Sequence, residues 1–260
     1  FTWLMLSCFE GSPSLGAIAY PVFAYFQGLL FSSFMIHAHE FTHPGHVKSK
    51  WLNDAMGVIS GAIGSLNFYS FRYAHHLHHK NIGNLDAPES GAPVSLTGQK
   101  LLKKGDPQQQ VIKLFERSKP LALLFAWPIY IFHGDYSSWF LPIRINGLIS
   151  WPSWLCFGAM ALWNGALLAA FGWGYLFIYL IPVVFGGACF LAMSHLHHAH
   201  ENSVFFSKKH HNFFNVIMAT TERNYGRVMN YFLLNGGYHT AHHLNPAIAY
   251  YDLQKASAYL

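Results

Sequence analysis

The sequence predicts an all-α integral membrane protein in which a few transmembrane helices carry a histidine-rich polar cap. Hydrophobic residues make up 52% of the 260 residues and charged residues only 10%, whereas a soluble domain carries about 25% charged residues. The chain contains several long apolar stretches, and its 18 histidines outnumber its 16 lysines and arginines. This composition excludes an ordinary cytosolic enzyme, a disordered chain and a disulfide scaffold.

Three stretches are long and apolar enough to cross a bilayer, which takes about 20 residues. Residues 14–36 contain no charge, and Pro21 is expected in the first turns of this helix or at a kink. Residues 151–171 and 175–193 follow, and the GWG sequence at 172–174 predicts a tight hairpin between them at one membrane face. Tyrosine and tryptophan at the ends of these stretches fit an aromatic belt.

Two further apolar stretches are shorter. Residues 56–71 are rich in glycine and could cross poorly, dip into the membrane or form a cytosolic helix. Residues 121–132 are interrupted by Pro128, which favours a segment lying in the membrane interface. His133, which follows, is expected to be a hydrogen-bonded core histidine.

The basic residues indicate how the chain is oriented. All lysines and arginines except Arg144 lie within 48–119 or from Lys208 onward, and the hairpin at 172–174 has none. The positive-inside rule therefore places these two regions on the cytoplasmic side of the membrane, or on its topological equivalent.

These features predict one membrane domain over residues 1–260. Its polar cap comprises residues 37–135 and 195–260. The net charge of +5 includes no basic run among exposed aromatic residues, which argues against binding to nucleic acid. The abrupt start at Phe1 and end at Leu260 leave truncation at both ends open.

The histidines form four groups on the predicted cytoplasmic side. HAHEFTH follows the first apolar stretch and places His39 and His43 four residues apart, on one face of a helix. HLHHAH at 195–200 follows the last apolar stretch. HHLHH at 75–79 and HTAHH at 239–243 share the i, i+3, i+4 spacing. The spaced histidines of these two groups are His75, His78, His79, His239, His242 and His243.

This spacing points to a metal centre. Side chains at i, i+3 and i+4 form a stripe that can reach one or two metal ions from one helix. One HxxxH and two HxxHH motifs supply eight imidazoles, and the third group can add a ninth. Tetrahedral zinc needs only four ligands, so nine suit two metals with open positions. A site with imidazole ligands and no thiolates suits iron ions better than it suits an iron–sulfur cluster.

The alternative interpretation is that these His-rich helices only face lipid headgroups, and three such groups on one side of the membrane argue against it. The remaining histidines are expected at the surface, at helix caps or around the ligands. They are His37, His46, His76, His197, His210 and His211.

The three boxes resemble those of the membrane fatty-acid desaturase family, HxxxH, HxxHH and HxxHH. HEFTHPGHVKSKWLNDAMG, FRYAHHLHHKNIGNLD and TERNYGRVMNYFLLNGGYHTAHHLNP resemble the box regions of plant-type acyl-lipid Δ12 (oleate) desaturases. WPIY at 127–130 is similar to an interfacial motif of the same proteins. The resemblance covers nearly all of residues 15–255, and hydroxylases, acetylenases and epoxygenases share these boxes.

The resemblance implies eight iron ligands in the boxes and a ninth at the end of the last apolar stretch. Register from the third box favours His198 as the ninth ligand, with His195 and His200 as alternatives. No catalytic residue beyond the metal ligands and no flavin, haem or nucleotide motif is expected. The implied metal ligands are His39, His43, His75, His78, His79, His198, His239, His242 and His243.

The activity that the resemblance implies is an oxidoreductase of lipid metabolism that introduces a C=C bond into a fatty acyl chain. Two non-haem irons would activate O2, and an external ferredoxin or cytochrome b5-type protein would donate electrons. The acyl chain, carried on lipid, CoA or carrier protein, would enter an apolar tunnel for which Phe68, Tyr69 and Phe71 are candidate lining. The carboxylates that could orient ligand imidazoles are Glu40, Asp86, Glu201 and Glu222.

Three alternatives make different predictions. A fatty acyl or lipid hydroxylase on the same scaffold is separated from a desaturase by product analysis alone. A non-catalytic desaturase-like subunit of a membrane complex predicts no metal, or metal without turnover. A histidine-ligated haem protein predicts a Soret band and has no use for adjacent histidine pairs.

Overall fold

The computed structural model describes residues 10–44, 46–87, 141–145, 148–198 and 203–260, apart from the side chains of Pro13, Arg144 and His195. The sequence features at 121–133, His200 and Glu201 lie outside these residues. In the described part of the chain, the regular secondary structure is helical except for one small hairpin and an isolated bridge between Asn84 and Phe206, which confirms the predicted all-α class.

Helices and one hairpin follow each other along the chain. Three helices come first, α1 (Pro13–Glu40), α2 (Lys50–Gly64) and α3 (Phe68–Asn81). The antiparallel strands β1 (Arg144–Ile145) and β2 (Leu148–Ile149) form the hairpin. Two long helices follow, α4 (Trp151–Phe171) and α5 (Ile181–His198), with a π-helical turn at Leu176–Leu180 before α5. Four short helices lie after them, α6 (Phe213–Met218), α7 (Gly226–Phe232), α8 (His239–Leu244) and α9 (Leu253–Ser257).

Among the described residues, three helical stretches are long and apolar enough to cross a membrane, namely Ser14–Glu40, Trp151–Phe171 and Leu176–His198. They lie where the sequence has its three long apolar stretches. The first continues through Pro21 as one helix. The outer surface of α4 is strongly apolar, with Leu155 75% and Leu162 77% exposed, as suits a helix surrounded by lipid tails.

The glycine-rich stretch at 56–71 is divided between α2 and α3. Ser65 ends α2 with a left-handed backbone, φ 55°. Asn67 then begins α3, because its side chain accepts a hydrogen bond from the Ser70 amide. The Asn67 amide group also donates to the Ser153 carbonyl oxygen at 2.8 Å. This buried asparagine thus holds the start of α3 against α4.

Helices α1 and α5 approach each other most closely at two glycines. A Cβ atom on Gly186 would collide with the carbonyl oxygen of Gly28 and the amide nitrogen of Ser32. A Cβ atom on Gly28 would meet the Phe185 ring. Small residues at such a crossing let two membrane helices pack backbone to backbone. This crossing sets where the ends of α1 and α5 lie, and both ends carry histidines of the boxes.

We expect Gly186→Val to separate α1 from α5 and to destabilise the protein, because the added methyl groups have no space at the crossing. The midpoint of thermal unfolding in detergent measures this effect. Gly165→Val is the matched control, since Gly165 lies in another membrane helix and a Cβ atom there meets nothing within 4 Å. Equal midpoints for the two variants would contradict the close crossing.

Buried apolar side chains fill the space between α1, α3 and α5 just below the histidine boxes. Met35 and Ile36 come from α1, Phe71 comes from α3, and Phe190 and Leu191 come from α5. These side chains give the polar cap an apolar floor that faces the membrane domain.

Candidate metal centre

The first box lies across the end of a helix. His39 occupies the last turn of α1, and His43 follows in a tight turn after Glu40. The turn stays compact because the amides of Thr42 and His43 donate to the carbonyl oxygens of His39 and Glu40 at 2.9 and 3.0 Å. The two imidazole rings therefore remain close, with centroids 5.4 Å apart, although the box does not form one continuous helix as expected.

The second and third boxes each divide their histidines between two directions. Successive residues of an α-helix point about 100° apart, so residues i and i+4 share a face while residue i+3 diverges from residue i+4. On α3, His75 and His79 point one way and His78 points another. On α8, His239 and His243 form the i, i+4 pair, and His242 diverges from them.

All nine histidines singled out in the sequence meet in two groups, in each of which the ligand nitrogens lie within 4.8 Å of one another. His198, at the end of α5, takes part, whereas the side chain of His195 and all of His200 lie outside the described residues. Group 1 consists of His39, His43, His75, His79 and His242. Group 2 consists of His78, His198, His239 and His243.

The Nε2 atoms of group 1 converge at short distances. His75 Nε2 lies 2.9 Å from His43 Nε2 and 2.9 Å from His79 Nε2. His79 Nε2 lies 3.1 Å from His242 Nε2. An imidazole nitrogen has one site in the plane of its ring for a proton or a lone pair, so His75 cannot form a good hydrogen bond with both neighbours. A shared cation resolves this crowding because every lone pair can point at it.

Group 2 has the same spacing. His239 Nε2 lies 2.9 Å from His198 Nε2 and 3.0 Å from His243 Nε2, and His243 Nε2 lies 3.3 Å from His78 Nε2. The other ring nitrogen of His198 donates to the Ala219 carbonyl oxygen at 3.3 Å. That bond leaves the Nε2 lone pair of His198 for the centre of the group.

These distances fit metal coordination. Imidazole nitrogens bound to one ion at about 2.1 Å lie about 3.0 Å apart along an octahedral edge and about 4.2 Å apart across the octahedron. Both groups have neighbouring nitrogens at 2.9–3.3 Å. Five imidazoles in one group and four in the other could each hold a metal ion and leave at least one coordination position open.

Burial also prepares the imidazoles to act as ligands. Because the protein interior disfavours the charged form, it lowers their pKa, and positive charge on neighbouring rings would lower it further. The rings are therefore neutral at pH 7 and offer a lone pair to a metal. Burial lowers the pKa of His242 to about 3 and lowers the pKa of His43, His75, His79, His239 and His243 well below the usual value.

One of the carboxylates nearest the boxes contacts a ring of the two groups. Glu40 Oε1 accepts a hydrogen bond from His39 Nδ1 at 3.0 Å, and Glu40 Oε2 lies 3.2 Å from His46 Nε2. Asp86 instead accepts from the Lys208 amide, and Glu222 accepts from the Ala241 amide. A carboxylate that accepts from Nδ1 fixes the orientation of the ring and raises the basicity of Nε2.

We expect Glu40→Gln to weaken metal binding about 10- to 100-fold, the range typical of such orienting partners. Glutamine can still accept a hydrogen bond from His39, but it removes the negative charge. Competition with a chelator measures the change in affinity. Glu222→Gln serves as the control, and equal affinities of the two variants would contradict the orienting role of Glu40.

An apolar cavity touches both groups of histidines. His75, His78, His239 and His242 line one side, and apolar side chains of the floor line the other. Of the three residues expected from the sequence to line the cavity, Phe71 does line it. Phe68 packs against Gly57, and the Tyr69 hydroxyl donates to Asp54 at 3.1 Å, so neither reaches the cavity. The apolar lining missed in the sequence is Ile36, Ala74, Phe190, Met193 and Leu253.

His197 is a further buried imidazole beside group 2. Its ring stacks on His239 with centroids 4.4 Å apart, and its Nε2 forms a hydrogen bond with the Tyr225 hydroxyl at 3.1 Å. His197 lies beside group 2 and belongs to neither group, as expected for the histidines outside the nine. The role of Tyr225 has no signal in the sequence, since 28 positions separate it from His197.

Comparison with known proteins agrees with this geometry. Residues 15–260 match the family model described as fatty acid desaturase. An sn-1 acyl-lipid omega-3 desaturase (ferredoxin) of Nostoc sp. (strain 36) is 28% identical over 92% of this chain, and one of Synechocystis sp. (strain ATCC 27184 / PCC 6803 / Kazusa) is 29% identical over 92% of it. A Delta(12)-fatty-acid desaturase of Arabidopsis thaliana is 24% identical over 94% of it.

The chain spans 66% of the length of each of these three relatives. The family match covers both parts of the histidine cap and, except for Ser14, all three candidate membrane helices. The chain belongs to the fatty acid desaturase family.

Proposed function

We propose that this protein is a membrane-bound, non-haem di-iron acyl desaturase that uses O2 and two external electrons to form a C=C bond. The observation that carries the proposal is the pair of buried imidazole groups beside an apolar cavity, in a chain of the desaturase family. In this proposal, group 1 holds one iron and group 2 holds the other.

The reaction balances when an acyl –CH2–CH2– unit, O2, two electrons and two protons give –CH=CH– and two waters. When bound, the irons supply the oxidising power that no amino-acid side chain has. The protein holds the irons with neutral imidazoles and keeps their rings oriented through Glu40 and the Ala219 carbonyl. The cavity has a volume of about 40 Å³, so the floor residues Ile36, Phe71 and Phe190 exclude water and position only the part of the acyl chain next to the histidines.

The names of the cyanobacterial relatives favour particular partners. They describe acyl-lipid substrates and ferredoxin, so we assign a lipid-linked acyl chain and a ferredoxin-type donor to this protein as well. The positive-inside rule supports placing the cap on the cytoplasmic side, where a soluble donor can reach it. Residues 1–260 would then act as one membrane domain with the histidine cap on that side.

The test combines metal analysis with product analysis. Detergent-purified protein is analysed for iron, zinc and copper, and then supplied with acyl lipid, O2 and reduced ferredoxin. We expect about two irons per chain and an unsaturated product that requires the donor. A hydroxylated product would overturn desaturation as the reaction. Folded protein with neither iron nor product would instead favour the structural subunit.

A further inference from the structure

A second cavity lies on the other face of α1, away from both histidine groups. It has a volume of about 830 Å³, within the range of about 300–1,000 Å³ typical of small-molecule sites. Leu30 and Phe34 of α1 form its apolar side, and His37 lies one helical turn further on. Its polar side comes from residues after α5, which are Asn224, Arg227, Asn230, Tyr231, Asn235, Tyr238, Tyr250 and Gln254.

The polar side is rich in hydrogen-bond donors. Arg227 is its cation, and no aspartate or glutamate occurs among the described residues that line the cavity. Within the part of the chain that the structure describes, the side chains of Arg227, Tyr231 and Tyr238 form no hydrogen bond or ion pair. A surface of this kind favours a ligand that carries many acceptor oxygens.

The cavity lies where α1 leaves the apolar part of its span. Leu30 and Phe34 belong to the candidate membrane helix Ser14–Glu40, and His37 belongs to its last turn. Apolar lining at one end and polar lining at the other therefore match the depth at which a bilayer changes from acyl chains to headgroups. A glycerolipid has the same division between acyl chain and headgroup.

The two cavities share their walls. On α1, Glu40 lines the first cavity and His37 lines the second. On α9, Leu253 lines the first cavity and Gln254 lines the second. The turn between α7 and α8 also separates them. It contains two consecutive left-handed residues, Leu234 at φ 47° and Asn235 at φ 54°. A left-handed backbone is uncommon at a residue such as leucine and concentrates at functional sites.

We propose that this second cavity binds the oxygen-rich headgroup of a glycerolipid whose acyl chain enters the first cavity. This inference rests on the proposed function and adds the recognition of the lipid carrier. Arg227 and the tyrosine hydroxyls donate to phosphate or sugar oxygens of the headgroup. With the headgroup held in the second cavity, its distance from the histidine groups determines which carbons of the acyl chain lie beside them.

The test measures lipid binding to iron-loaded protein in detergent without an electron donor, so that no turnover occurs. The probes are a dialkyl ether phosphatidylglycerol, a dialkyl ether monogalactosylglycerol and a free fatty acid of the same chain length. For a phosphate headgroup, we expect Arg227→Gln to weaken binding of the phospholipid at least tenfold. For a sugar headgroup, we expect the Tyr231→Ala/Tyr238→Phe double variant to weaken binding of the glycolipid at least tenfold.

Fatty acid binding is expected to stay unchanged in both variants. Lys255→Gln is the control, because Lys255 is exposed on α9 next to Gln254 and does not line the cavity. If both ether lipids bound both variants as tightly as wild type, the headgroup site would be wrong even with iron and product formation intact. If the protein held no iron and formed no product, the proposed function would be wrong, whatever the result of the lipid-binding measurement.

Discussion

Replacing His242 with alanine is expected to abolish product formation and to remove about one of the two irons proposed for each chain. His242 Nε2 is 3.1 Å from His79 Nε2 in group 1, and no other residue of α8 belongs to that group. Since residues that only orient ligands change affinity or activity about 10- to 100-fold, loss of the ligand itself should lower activity at least about 100-fold.

The neighbouring variant His243→Ala is expected to remove the other iron. Adjacent residues on α8 point about 100° apart, so His243 belongs to group 2 although it follows His242 directly. Elemental analysis of each variant gives iron per chain, and spectroscopy of the remaining iron tells which group it occupies. Two single variants with the same residual iron signal would contradict the division between the groups.

His76→Ala is the matched control for both variants. It removes an imidazole from a box helix, but His76 belongs to neither group. Its ring lies 6.0 Å from the His43 ring, centroid to centroid, and its Nε2 donates to the Thr42 carbonyl oxygen at 3.0 Å. We expect this variant to keep both irons. Membrane insertion and helix content should be unchanged in all three proteins, and full activity of His242→Ala would exclude it as a ligand.

The three candidate membrane helices and the nine histidines that meet in the two groups could be predicted from the sequence, because both leave strong local patterns. An uncharged stretch at 14–36 can hardly be placed elsewhere than in a bilayer, and the i, i+3, i+4 spacing brings side chains together within one turn. How the nine histidines divide between two groups depends on contacts such as His78 with His243, which are 165 positions apart. Periodicity carries no information about such pairs.

The cavity lining shows a similar limit. Phe71 lies four residues before His75, so the two share a helix face, and their rings stack with centroids 5.2 Å apart. The sequence groups Phe68 and Tyr69 with Phe71 only as aromatic neighbours. Tyr69 precedes His75 by six residues and so points about 120° away from it, towards Asp54 of α2. Phe68 shares the face of Phe71 by its spacing, yet it packs against Gly57 of α2, a contact that periodicity does not predict.

Enlarging Ala74 to tryptophan is expected to block the acyl chain while leaving both irons in place. Ala74 lines the first cavity between the two histidine groups, and an indole there would fill the space beside the metal ligands. We expect turnover of a long acyl substrate to fall at least tenfold, because a chain held even about 1 Å from its productive position can lose 100-fold in rate. The smaller Ala74→Leu change should give an intermediate loss.

The experiment must distinguish blocked entry of the acyl chain from damage to the metal site. Ala74 precedes His75, so a loss of activity counts as blocked access only if iron content and the spectrum of the irons match those of wild type. Ala170→Trp adds the same side chain at an exposed position of α4 and should be fully active. If Ala74→Trp kept both irons and the wild-type rate, the acyl chain would have to reach the irons by a route outside this cavity. The headgroup site across α1 would then have no acyl chain to position.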